Sequence, residues 1–108
     1  MKNSDDLKAP PHLSREARGW WRRITAEFEI DGGAALVLQT TLEAFDRSRQ
    51  ARAALEKDGL LIEDRFRQKR AHPAAAIERD AFAVMLRGWR LLGLDIEPPG
   101  PIGRPPGK

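Results

Sequence analysis

Residues 65–73, RFRQKRAHP, decide how this chain is interpreted, because they join a cluster of cations directly to a long apolar segment at residues 74–94. The cluster has no acidic residue and contains four cations: Arg65, Arg67, Lys69 and Arg70. Pro73 suits the first position of a helix, where its missing N–H would have had no partner. The stretch therefore predicts a charged surface segment anchored to a packing helix.

Length and composition set limits on the kind of protein. A chain of 108 residues predicts one domain that buries about two thirds of its unfolded surface. The absence of cysteine excludes disulfides and thiolate metal sites. No apolar run reaches the roughly 18 residues that cross a bilayer, so we expect a soluble protein without membrane contacts. The net charge of +3 indicates a polyanionic partner only if the cations cluster locally.

Hydrophobic periodicity predicts a mainly α fold that starts with an antiparallel helix pair. The first helix follows Ser14, a good N-cap, and carries apolar residues at three-to-four spacing as far as Phe28. The glycines of residues 31–33 interrupt this pattern, and a second helix is expected from about residue 34 to residue 57. Gly59 would end that helix as a C-cap.

The second half of the chain predicts a short β-hairpin at about residues 60–71 and a third long helix at residues 73–92. The third helix is apolar on two faces, and a helix pair covers only one, so we expect the other face to contact a second copy. Six residues are the candidates for this oligomerisation: Ile77, Phe82, Met85, Leu86, Trp89 and Leu92.

The domain organisation follows from the polar, proline-containing ends. We expect a flexible N-terminal arm at residues 1–12 and a single helical domain at residues 13–95. Residues 96–108 are rich in proline and glycine, which predicts a flexible tail.

Catalytic chemistry is hard to build from these residues. The chain has no tyrosine and only two histidines, His12 and His72, and His72 reads more simply as a helix-start residue than as a general base. Residues 31–33 lack the Lys-Ser or Lys-Thr of a phosphate-binding loop. We therefore predict no enzymatic activity, no cofactor and no metal site.

The clustered cations favour contact with double-stranded DNA. In an extended segment, Arg65, Arg67 and Lys69 would share one side at intervals of about 6.6 Å, near the phosphate repeat along one DNA strand. A second basic group, on the second helix, consists of Arg47, Arg49 and Arg52. The first turn of the third helix is Pro-Ala-Ala-Ala, which does not suit base reading, so affinity with little sequence discrimination is expected.

The chain resembles the small terminase subunit of tailed bacteriophages, in the branch with a helical body and a short hairpin. The resemblance lies in residues 10–14 (PPHLS), Trp21 with Ile24 and Glu27, residues 51–59, residues 71–74 (AHPA) and residues 91–94 (LLGL). It implies a non-enzymatic subunit that forms a homo-oligomeric ring in the host cell cytoplasm. It also implies binding of viral DNA where packaging starts, and presentation of that DNA to a large subunit with ATPase and nuclease activity.

Two other classes of protein remain as alternatives. In a structural helical module without DNA binding, the cations would be solvated and the apolar faces would bind a protein partner. A helix-turn-helix regulator would need a recognition helix with an exposed polar first turn after a short glycine turn, and none of the three predicted helices has one.

Overall fold

The computed structural model describes residues 7–100. Within them the chain order is α1 (Arg15–Glu27), α2 (Gly32–Asp58), β1 (Leu61–Glu63), β2 (Lys69–Ala71) and α3 (Pro73–Leu91). The predicted mainly helical fold with a two-stranded hairpin is confirmed. None of the helices within residues 7–100 combines the length and apolar character needed to cross a membrane.

The start of α1 is fixed by Ser14 and by a carboxylate from α2. The Ser14 hydroxyl accepts a hydrogen bond from the Ala17 N–H at 3.0 Å, as an N-cap does. The backbone N–H of Ser14 also donates to Asp46 at 2.8 Å, and its hydroxyl donates to the same carboxylate. The cap therefore ties α1 to the middle of α2 as well as starting the helix.

The second helix begins earlier than predicted, because the glycines of residues 31–33 belong to a cap rather than to a break. Asp31 is the N-cap, and its side chain accepts from the Ala34 N–H at 2.8 Å, so Gly32 is the first helical residue. The predicted glycine C-cap is confirmed: Gly59 has a φ of 85° and its N–H donates to the Leu55 carbonyl at 2.7 Å.

Helices α2 and α3 form the main antiparallel pair. Position 88 of α3 meets Thr41 near the start of α2, whereas Glu78 of α3 meets Arg52 near the end of α2. Gly88 permits the close approach, since a Cβ at that position would overlap the Thr41 side chain. This pair is more extensive than the α1–α2 pair that opens the sequence.

The buried side chains fall into two clusters at different levels of the α2–α3 pair. The larger cluster, here called the core end, packs α1 against both helices and includes Trp21, Ile24, Leu38, Leu42, Phe45, Met85 and Trp89. The smaller cluster, next to the hairpin, consists of Ala51, Leu55 and Ala74. We call this cluster together with residues 59–72 the hairpin end.

The segments that flank the helices are held by two indole N–H groups. Trp21 donates to the carbonyl of Leu7 at 3.1 Å, and Trp89 donates to the carbonyl of Ile96 at 2.9 Å. Pro99 is buried. Contacts of the domain thus continue into residues 7–12 and 96–100, which were predicted to be flexible; residues 1–6 and 101–108 lie outside the described residues.

Candidate nucleic-acid interface

The predicted hairpin at residues 60–71 is confirmed and connects α2 to α3. Its strands are antiparallel, with Leu61 opposite Ala71 and Glu63 opposite Lys69. The N–H of His72 donates to the Leu60 carbonyl at 2.8 Å and closes the hairpin beside α3. The hairpin therefore leaves the helix pair as one projecting ribbon.

Asp64 organises the turn of the hairpin. One of its carboxylate oxygens accepts from the N–H groups of Phe66 and Gln68, at 2.8 and 2.9 Å. Its backbone carbonyl accepts from the Arg67 N–H at 2.9 Å. The bonds from the Gln68 backbone, the Arg70 side chain and the Phe66 backbone hold the pKa of Asp64 below its ordinary value.

The prediction that residues 65–69 form an extended segment was wrong, because most of them lie in a turn. Arg67 has a φ of 64°, in the left-handed region, and Arg65 and Arg67 both lie in the turn between the strands. Of the three cations predicted to share one side of a strand, only Lys69 is on a strand. The spacing of about 6.6 Å between successive cations therefore does not apply, because the Asp64 bonds bend the chain there.

The four hairpin cations are exposed and remain close together. Arg70 is paired with Asp64 at 2.8 Å, so the acid that precedes the basic run compensates one of its charges. The guanidinium of Arg65 lies 5.2 Å from the centre of the Phe66 ring. Within residues 7–100, Arg67 and Lys69 form no ion pair. We call these residues the hairpin patch: Arg65, Phe66, Arg67, Lys69 and Arg70.

The second basic group, on α2, is not brought together with the hairpin patch. Arg52 makes two hydrogen bonds to Glu78, at 2.9 and 3.0 Å. Arg49 contacts Glu16 at 3.4 Å, donates to the Gly100 carbonyl at 3.1 Å and stacks on Phe45.

Arg47 is the exposed member of the second basic group. It lies about 16 Å along the helix from its end at Asp58, at 1.5 Å per residue.

The predicted oligomerisation residues divide by exposure. Met85 is fully buried and Trp89 is 4% exposed, so both belong to the core end of the same subunit. Phe82, Leu86 and Leu92 are half-buried against that core, and Ile77 is exposed.

An exposed apolar stripe on α3 was missed by the sequence reasoning. Val84 and Leu91 were not among the predicted oligomerisation residues, yet with Ile77 they form exposed positions seven residues apart. That spacing was the available signal. Val84 and Leu91 line a groove of about 300 Å³ together with Leu36 of α2.

His72 has the helix-start role that its sequence position suggests. Its Nδ1 accepts from the Ala74 N–H at 3.0 Å, so the ring proton lies on Nε2, which is 2.9 Å from Asp58. Across residues 7–100, no three His, Cys, Asp or Glu side chains come together as a metal site.

Comparison with known proteins gives a family. No curated protein and no solved structure matched the chain. The model of the family described as "Phage terminase, small subunit" matches residues 17–99, which include all three helices and the hairpin except the first two residues of α1. The chain therefore belongs to the phage terminase small subunit family.

Proposed function

We propose that this chain is a viral DNA-packaging subunit that binds double-stranded DNA through the hairpin patch and presents it to the large terminase subunit. Family membership supports the packaging role. The observation that carries the DNA contact is the grouping of four exposed cations on one projecting hairpin. Such a group suits phosphates, which supply affinity without reading sequence.

The proposed role needs no catalysis by this chain. Small terminase subunits generally regulate packaging by binding DNA, and the ATPase and nuclease activities belong to the large subunit. We place the action of the protein in the cytoplasm of the infected host cell, without a membrane partner. Its partners are DNA, the large subunit and further copies of itself.

The proposed DNA contacts are graded by what each cation already binds. Arg65, Arg67 and Lys69 are free of ion pairs within residues 7–100, and Arg70 shares Asp64. Arg47 is a secondary candidate, because it is exposed. Arg49 and Arg52 would first have to release Glu16 and Glu78, so we rank them last.

The salt dependence of DNA binding tests this proposal. In an R65Q/R67Q/K69Q variant, the Arg70–Asp64 pair is kept and three phosphate contacts are lost. The slope of log K against log salt should flatten by about 2 to 3 units, since each contact releases about 0.9 counterion. An unchanged slope would refute the hairpin as the DNA contact.

A charge-matched control separates local contact from net charge. The variant R15Q/R22Q/R79Q removes three exposed cations outside the hairpin and lowers the net charge by the same amount. Its slope should stay within about one unit of the wild-type slope if phosphates meet the hairpin. An equal loss in both variants would indicate binding governed by overall charge.

We further propose that copies of the chain assemble into a ring through the exposed apolar side of α3. Ile77 is retained from the predicted set, whereas Phe82, Leu86 and Leu92 are half-buried against the subunit core. Val84, Leu91 and Leu36 join the proposed surface, whereas Met85 and Trp89 are assigned to the subunit core.

Native mass spectrometry tests the assembly. The wild-type chain should be oligomeric at micromolar concentration, and V84S/L91S should shift it toward the monomer. A wild-type monomer under these conditions would contradict the assembly.

A structural interaction module without DNA binding is the second candidate. The observation that favours it is the apolar groove beside Leu36, Val84 and Leu91, which a protein segment could occupy as well. Wild-type chain that oligomerises but shows no salt-dependent affinity for duplex DNA would support this second candidate.

A further inference from the structure

An exposed aromatic ring stands among the cations of the hairpin patch. Phe66 is 69% exposed at the turn, where a solvated charged loop would have no need of a phenyl group. The guanidinium of Arg65 lies over the ring, 5.2 Å from its centre. The tip therefore presents an apolar group and cations at one position.

The backbone that carries the phenyl ring is fixed by hydrogen bonds within the turn. The N–H of Phe66 donates to Asp64, and the two neighbouring bonds to Gln68 and Arg67 close the same turn. Arg70 holds the Asp64 carboxylate from the second strand. A turn with this many bonds loses little backbone entropy when it binds, so the backbone at Phe66 is preorganised.

The shape of the hairpin suits an insertion into nucleic acid. It is a single two-stranded ribbon, and the five steps from Leu60 to Arg65 extend about 17 Å at the usual rise of about 3.3 Å each. Proteins that bend DNA insert apolar side chains between base steps from the minor groove, with arginines nearby. Phe66 with Arg65 and Arg67 has this combination of groups.

We propose that Phe66 is an apolar wedge that enters a base step of duplex DNA from the minor groove and bends the duplex, while Arg65 and Arg67 contact the flanking backbone. This inference rests on the proposed DNA-binding function and adds a mode of binding to it. The hairpin would then prefer flexible base steps such as TA or CA, because they bend at the lowest energetic cost. This preference needs no hydrogen bond to a base edge.

Charge favours DNA over a protein as the partner of the ring. Four cations share the hairpin with Phe66, and the acid of the turn, Asp64, is already occupied by Arg70 and by backbone N–H groups. Glu63, on the strand opposite Lys69, is the second acid of the hairpin, so its four cations exceed its acids by two. This excess lies at the tip beside Phe66, where a polyanion matches it.

The test compares the full-length wild-type chain with Phe66→Ala on duplexes that carry 2-aminopurine at successive steps and a donor–acceptor pair at the ends. Wild type should raise 2-aminopurine fluorescence at a TA or CA step and shorten the end-to-end distance. Phe66→Ala should abolish both signals and weaken binding about 5- to 150-fold, the range for losing one base stack. Its salt slope should stay unchanged, since no cation is lost.

Two further variants make the result specific to the wedge. Phe66→Leu keeps an apolar group and should retain part of the DNA bend. Leu60→Ala removes an equally exposed apolar side chain from the base of the hairpin, and this variant should bend DNA as much as wild type does. Equal bending by wild type and Phe66→Ala would overturn the wedge. The wedge would also be refuted if Phe66→Ala changed only self-association or binding of the large subunit. That result would show that the phenyl ring of Phe66 contacts a protein.

The salt-slope experiment keeps this inference separate from the proposed function. If R65Q/R67Q/K69Q flattens the slope and Phe66→Ala leaves the bend intact, DNA binding stands and the wedge fails. If the wild-type chain shows no affinity for duplex DNA at all, both proposals fail together.

Discussion

The two ends of the α2–α3 pair differ in what they bury and in what they expose. At the core end the helices enclose large side chains such as Phe45, Met85 and Trp89. At the hairpin end they meet through Ala51, Ala74 and Leu55, and the cations project beyond them. The difference teaches that stability and the proposed DNA contact are separated along one helix pair, so each end can be altered with little effect on the other.

Truncation of a buried side chain at each end is the strongest test of this separation. Met85→Ala should lower the free energy of unfolding by about 2–5 kcal/mol, since it leaves a cavity among large neighbours. Leu55→Ala should cost less, about 2 kcal/mol, because its cluster is small and solvent can reach the space. Urea unfolding followed by tryptophan fluorescence measures both, and a larger cost at Leu55 would reverse the comparison.

The close approach of the helices at Gly88 gives the next largest effect. Gly88→Ala should destabilise the chain by about 1–3 kcal/mol, because the new methyl group overlaps the Thr41 side chain. Thr41→Ala in the same chain should restore part of the loss by removing the hydroxyl and the methyl group. Thermal unfolding of the two single variants and the double variant checks this, and purely additive losses would show that the two positions do not compete for space.

The Arg52–Glu78 ion pair gives a smaller effect. Its removal also tests whether Arg52 of α2 contacts DNA. Arg52→Lys should cost about 0.5–1 kcal/mol, because lysine cannot make both bonds to Glu78. Arg52→Gln should leave the salt slope of DNA binding unchanged if Arg52 is internal. A slope reduced by about one unit would instead show that Arg52 releases Glu78 to contact a phosphate.

The smallest effect is local and depends on pH. The folded-state pKa of Asp64 is lowered, so its contribution is present above its ordinary pKa and is lost as the pH falls through and below about 4. The amide signals of Phe66 and Gln68 should therefore shift between about pH 6 and about pH 2, while those of the core end stay in place. In Asp64→Asn the shift should disappear, and persistence of the shift would assign it to another group.

Local signals allowed much of the fold to be predicted. Ser14 and Gly59 mark helix boundaries through hydrogen bonds made within a few residues, and Pro73 marks one by its fixed backbone angle at the first helical position. The structure has all three in these roles. The hairpin was also predicted from local composition. Boundaries shifted where a local signal had two meanings, as at residues 31–33, where glycines after an N-cap resemble a break.

Long-range partners could not be predicted from the same signals. The pairs Arg49–Glu16 and Arg52–Glu78 join residues 33 and 26 positions apart, and nothing in local spacing indicates them. The rotation of α3 is equally undetermined, because its apolar residues surround the helix and only the contact with α2 decides that Met85 is buried and Val84 exposed. The turn after Asp64 was not predicted either, because the residue that bends the chain there lies just before the basic run of residues 65–70.

His72 has a mechanical consequence for the tip of the hairpin. Its ring caps α3 and contacts Asp58 at the end of α2, and its backbone holds Leu60. The ribbon would therefore rotate as a unit about its attachment at His72. With an arm of about 17 Å, a rotation of about 10° at His72 would carry the tip about 3 Å, which is the length of a hydrogen bond. Small adjustments of the two helix ends would therefore shift the whole hairpin patch while the bonds within its turn stay in place.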